Sequence, residues 1–179
     1  LKFVILYGTI FCIGLLGSLT FARLENFVPF ALVIPLAIYQ IYCDVSRQSR
    51  QLLPELTGAM AISSSSAVIA LAGGWNPLVA YSLWAIFVAR LIPSILYVRN
   101  RLRLEKGKEF FLMPVLASHF MAVGAIGMLA GNGLVSKLTL AMFVVLLIRA
   151  FWGLSPFRKK VKAMKIGIWE VIYGTLTVL

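Results

Sequence analysis

Charge is what this chain has least of. Asp, Glu, Lys and Arg together make up 13% of its 179 residues, against 61% for hydrophobic ones, and the mean hydropathy is +0.95. A water-soluble domain is nearer a quarter charged, so the expected solvent of this chain is a lipid bilayer. Histidine occurs once and cysteine twice. A single histidine leaves no ligand set for zinc or haem. Cys12 and Cys43 lie in or at the end of oily segments without CxxC or Cys/His spacing, which indicates neither a disulfide nor a metal site. No metal site is therefore read from the sequence, and any cofactor is left open. Every polar gap is also too short to bury a core of its own, so residues 1–179 form one transmembrane domain.

What is present is a series of apolar runs near the length that crosses a hydrocarbon core, about 20 residues in a helix. Seven such runs occur, at about 2–21, 27–43, 56–73, 77–98, 110–130, 134–153 and from about 166 onward. They are continuous and lack the period of two that barrel strands show. The expected fold is all-α, a polytopic transmembrane helical bundle of about seven spans. The chain starts at Leu1 inside an apolar run and ends at Leu179, fourteen residues after Lys165, so further terminal segments are expected at both ends.

The cations that do occur sit in every second gap. Arg47 and Arg50 share one, Arg99 to Lys108 another, and Arg158 to Lys165 a third, whereas the stretches 73–77 and 131–133 carry no charge. Retention of Lys and Arg on the cytosolic side produces this alternation. Lys2 before the first run agrees with a cytosolic start. Trp75 and Trp84 are expected at the outer interface, and Trp152 and Trp169 at the inner one. A net charge of +11 could suggest nucleic acid, but cations beside spans point to topology and anionic headgroups instead. No nucleic-acid partner is expected.

Some polar groups fall within the spans, where they are costly and normally face a partner or an aqueous cavity. Arg90 lies nine residues before Arg99, which at the helical rise puts it about 13 Å inside the boundary. Ser94 and Tyr97 follow at spacings of four and three, on the same helical stripe. Arg90 either pairs with carbonyls freed near Pro93 or a buried acid, or helps bind an anionic substrate. His119 lies in the fifth run, Arg149 near the cytosolic end of the sixth, and Glu170 in the first turns of the seventh. Glu55 opens the third run, and part of the run Ser63 to Ser66 is expected to line a polar cavity. These groups share the cytosolic half. The expectation is a cytosol-open cavity walled by Arg90, Arg149 and His119, with Glu55 and Glu170 as counter-charges. Arg99, Arg101 and Arg103, in the basic gap after the fourth run, form either a headgroup anchor or a phosphate clamp over its mouth.

Pro54-Glu55-Leu56-Thr57-Gly58 followed by small residues and Ala72-Gly73-Gly74 resembles the YwiC-like family of bacterial membrane proteins. So do Arg90-Leu91-Ile92-Pro93-Ser94-Ile95-Leu96-Tyr97-Val98-Arg99, with Arg101 and Arg103, and Lys165-Ile166-Gly167-Ile168-Trp169-Glu170. The family's amino-terminal Lys-Glu-His-Gly-Ala-Trp signature is absent. The resemblance implies a multi-pass protein of the bacterial inner membrane. More distantly, Arg103 through Gly107 to Met113-Pro114-Val115-Leu116 resembles a pattern of UbiA-type prenyltransferases. That likeness implies a nine-helix fold of which two spans are missing here. Those enzymes hold magnesium pyrophosphate with paired aspartates, whereas the only acids in this gap are Glu105 and Glu109. Whether the chain is an enzyme is left open on this ground.

Two readings follow. In the first, the protein binds an amphipathic, phosphate-bearing or isoprenoid-like ligand and, if catalytic, carries out UbiA-like group transfer. Arg90, Arg99, Arg101, Arg103 and Arg149 would then take the anion, Glu55 would serve as counter-charge, Ser94 and Tyr97 would orient the ligand, and His119 or Glu170 would move protons. In the second, it is a non-catalytic accessory subunit of a larger membrane complex. Membrane lipids are partners in both. The topology can be checked with a membrane-impermeant maleimide on variants that lack Cys12 and Cys43. A cysteine at Lys106 should label only from the cytosolic side, and one at Asn132 only from the opposite side.

Overall fold

The structure, a computed structural model, describes residues 2–48 and 50–178. The calls made on Leu1 and Leu179 fall outside it. Among the described residues, eight α-helices follow one another: α1 (Lys2–Phe21), α2 (Val28–Val45), α3 (Leu52–Ser63), α4 (Ser65–Ala72), α5 (Pro77–Glu105), α6 (Leu112–Gly131), α7 (Lys137–Leu154) and α8 (Ala163–Val178), with a short 3-10 turn at Leu24–Phe27 before α2. No strand occurs among the described residues. Among the described residues, five segments are long and apolar enough to cross a membrane: Leu24–Val45, Leu52–Ala72, Pro77–Glu105, Leu112–Gly131 and Lys137–Leu154. The molecule is a helical membrane bundle. α1 and α8 occupy the first and seventh expected runs, and α8 is only 16 residues long.

Local chemistry sets the helix ends. The Asn76 side chain accepts from the Leu78 amide at 2.9 Å with Pro77 at the first helical position, two features that start a helix well. The Ser136 hydroxyl accepts from Thr139 N at 3.1 Å and caps α7 in the same way. The break between α3 and α4 has a cause in the serine run. Ser63, Ser64, Ser65 and Ser66 each donate to the carbonyl three residues earlier, at 2.6 to 2.8 Å. Such back-bonding competes with the helical amides and interrupts the ladder. These hydroxyls therefore donate to the backbone of α3 at the α3–α4 break. Ser63 Oγ also receives the indole N–H of Trp84 at 3.1 Å, so Trp84 ties α5 to α3. Trp75 is 53% exposed.

α5 is the central element, in contact with α3, α4, α6, α7 and α8. It runs unbroken through Pro93 and continues to Glu105, well past the expected end near residue 98. Asn100 and Arg101 are buried on it. Its extra turns carry Arg99, Arg101 and Arg103 as a helix rather than a loop. Side chains two residues apart on a helix point about 200° apart, so Arg101 leaves on the side opposite to Arg99 and Arg103, which share a stripe. Arg99 bonds the Arg50 carbonyl at 3.1 Å and Glu55 at 2.6 Å. Arg101 bonds the carbonyls of Gly153 and Lys159. Those contacts gather the three basic connections at one end of the bundle.

The packed interior lies between α5, α6 and α7. Tyr97, Val115, Ala150 and Leu154 form one buried cluster, and Ala122, Ile126 and Phe143 another. Gly153 is where α7 meets Tyr97: a Cβ there would lie 2.9 Å from ring carbons Cε2 and Cζ of Tyr97. Gly153→Ala should therefore destabilise by about 1–3 kcal/mol, as overpacking does. Thermal unfolding in detergent measures this, and Tyr97→Phe added to Gly153→Ala should recover part of the loss.

Candidate functional site

The polar residues of α5, α7 and α8 meet around one ion pair. Arg149 on α7 holds the carboxylate of Glu170 on α8, with the two side chains 11% and 20% exposed. The same guanidinium carbon sits 4.2 Å from the ring centre of Tyr97 and 4.7 Å from that of Tyr173. An aromatic face substitutes for part of the hydration a buried cation has lost. Arg90 reaches across from α5, donating to Thr177 Oγ1 at 3.3 Å and to the Glu170 carbonyl at 3.4 Å. Gly174 makes room for it, since a Cβ there would sit 3.2 Å from Arg90 Nη2. Glu170, Tyr173, Gly174 and Thr177 fall on one stripe at spacings of three and four. That is why α8 meets the bundle through its polar side.

A cavity of about 570 Å³ opens beside this pair. Tyr97 and Arg101 of α5, Val145, Ile148, Arg149 and Trp152 of α7, Phe157, Arg158 and Lys159 of the connection, and Ile166, Trp169, Glu170 and Tyr173 of α8 are among its walls. Val145 lies nine residues from the end of α7, so the cavity extends about 13 Å into the bundle from its basic end. Its floor is tied down by Arg101, which bonds the carbonyls of Gly153 and Lys159 and the Glu105 carboxylate at 2.9 Å. Arg158 lies 3.7 Å from the same carboxylate. Buried donors remain without an acceptor: Nε and Nη1 of Arg149 and Nε of Arg158. Leaving a buried donor unbonded costs on the order of 1–3 kcal/mol.

The residues singled out in the sequence thus divide. Tyr97, Arg101, Arg149 and Glu170 line this cavity, with Arg90 bonded to its α8 wall. Ser94 and His119 lie elsewhere, with Arg90, Pro93, Ala122 and Phe143 around a gap with no room for a water molecule. His119 is 4% exposed, and its Nδ1 lies 2.8 Å from the Val115 carbonyl of its own helix. Arg99 and Glu55 pair with each other at the α3–α5 contact. Arg103 donates to the Glu109 carbonyl at 2.6 Å and lies over the Phe111 ring, fastening the turn after α5. Arg158, Trp152 and Trp169 are lining residues that the sequence marked only as a basic gap and interface anchors. Among the described residues no cluster of acids, histidines and cysteines could hold a metal.

The fold defines a multi-pass helical membrane protein. Residues 1–70 match a family model described as YwiC-like protein. That stretch contains α1 to α3 and most of α4, including Pro54 to Gly58, whereas the cavity is built from α5, α7 and α8 beyond it. No curated protein and no solved structure gives a significant match.

The Arg149–Glu170 pair can be tested by a double-mutant cycle. Removing one partner leaves the other buried and uncompensated, which typically costs about 3–5 kcal/mol. Arg149→Gln and Glu170→Gln should each lower the unfolding midpoint, and the double variant should lose less than the sum. Additive losses would show that the two side chains do not interact.

Proposed function

We propose that this protein binds an amphipathic ligand, phosphate-bearing or isoprenoid-like, in the cavity between α5, α7 and α8, and that it sits in a bacterial cytoplasmic membrane with its basic connections in the cytosol. The observation that carries the reading is the division of chemistry along the cavity. Its basic end has Arg158 and Lys159, and its length has Val145, Ile148, Trp152 and Trp169. Ile148, Trp152 and Trp169 are 61%, 67% and 53% exposed, on the side where lipid tails would lie. A headgroup at the basic end would meet guanidinium donors suited to phosphate oxygens. A chain would lie along the aromatic and aliphatic wall. Membrane lipid is then both surroundings and source of ligand.

The proposal stops at binding. UbiA-like group transfer needs a proton-moving group beside the ligand. Of the two residues expected in that role, Glu170 lines the cavity, while His119 faces the separate small gap.

A second reading, an accessory subunit within a larger membrane complex, is favoured by α1. Among the described residues it has little packing against other helices, and a Cβ on Gly8, Gly14 or Gly17 would meet open space. Native mass spectrometry of protein released from nanodiscs separates the two. One retained amphiphile per chain is expected, and it should be lost when Val145→Phe fills the cavity while the unfolding midpoint holds. A stoichiometric protein partner with no retained lipid would favour the accessory subunit instead.

A further inference from the structure

We infer that Glu170 determines which ligands the cavity admits. Its carboxylate occupies the guanidinium an anionic headgroup would use, so a negatively charged amphiphile displaces it and loosens α8, whereas a neutral one does not. This rests on the binding reading above and concerns the selectivity of that same cavity.

The geometry supports exchange of one anion for another. Arg149 gives one nitrogen to Glu170, while its Nε and Nη1 are buried without an acceptor. Arg158, on the same wall, has a buried Nε without a hydrogen bond, 3.7 Å from the Glu105 carboxylate. A headgroup with several acceptor oxygens would satisfy donors that a single carboxylate leaves open. Charge at Arg149 would be conserved, because one anion leaves as another arrives. A neutral headgroup offers no such replacement, and separating the pair without one strands a charge in apolar surroundings.

The attachment of α8 makes the exchange mechanically relevant. Among the described residues, only Ile166 of α8 counts as buried. The helix is otherwise held by Glu170 on Arg149, Tyr173 under the same guanidinium, and the two bonds from Arg90. Polar fastenings can be taken over by a competing anion, which apolar packing cannot. Trp169, Glu170 and Tyr173 also wall the cavity, so loosening α8 widens the space the chain would enter.

The test is equilibrium binding of radiolabelled dodecyl phosphate and of dodecanol to the protein in nanodiscs, with empty nanodiscs as background. The wild-type protein should bind the phosphate at least tenfold more tightly than the alcohol. Glu170→Gln removes the competing charge and should tighten phosphate binding, raising the preference for dodecyl phosphate over dodecanol about tenfold above the wild-type ratio. Glu170→Asp, whose shorter side chain holds Arg149 less closely, should fall between and serves if the glutamine variant does not fold. Excess inorganic phosphate should not displace the probe, because it lacks the chain. Unchanged or weaker binding by both variants would overturn the inference while leaving the binding reading intact. Equal affinity for the two probes, or displacement by inorganic phosphate, would also overturn it. Saturable binding of neither probe to any form would sink the cavity reading itself.

Discussion

A guanidinium placed in hydrocarbon must find acceptors or aromatic faces, and in this bundle that constraint fixes the arrangement around α8. Arg149 takes a carboxylate and lies over two tyrosine rings, and Arg90 takes a hydroxyl and a carbonyl. Each of these acceptors or rings other than Tyr97 belongs to α8. A terminal helix with little buried apolar surface is thereby held against the bundle by electrostatics. The cavity lies beside this junction, with Arg149, Glu170 and Tyr173 in its wall.

The same constraint explains why the basic end is ordered. Arg101 is 5% exposed and holds the carbonyls at the end of α7 and in the connection that follows. Helix termini leave carbonyls without intrahelical partners, and a guanidinium reaching over from α5 satisfies them while Glu105 balances its charge. Arg99 and Arg103 do comparable work for α3 and for the turn before α6. These arginines are structural bridges, each aimed at a different neighbour, so the cations facing the cavity are Arg149, Arg158 and Lys159 in addition to Arg101.

Hydropathy and the alternation of charged gaps made the helices legible, because both signals depend on sequence alone. The Arg90–Glu170 and Arg149–Glu170 neighbourhoods were half legible. The residues stood out as misplaced charges, but their pairing depends on α8 lying against α5 and α7, which no periodicity states. The length of α5 was not legible. The apolar run stops near Val98, and the next turns bury Asn100 and Arg101 beside the half-buried Leu104, a mixed face that hydropathy does not pick out. Ser63 to Ser66 misled in another way: hydroxyls that suggested a wet cavity donate to carbonyls of α3, and that of Ser63 also accepts from Trp84. His119 is similar, since its ring is bonded within its own helix.

A density map of the protein purified in nanodiscs from its native lipids would test the central claim most directly. The account predicts an elongated density between α7 and α8, with its head within hydrogen-bond distance of Arg149 and Arg158 and its chain along Ile148 and Trp152. Close packing of α8 side chains against α7, with no space for such a molecule, would contradict it.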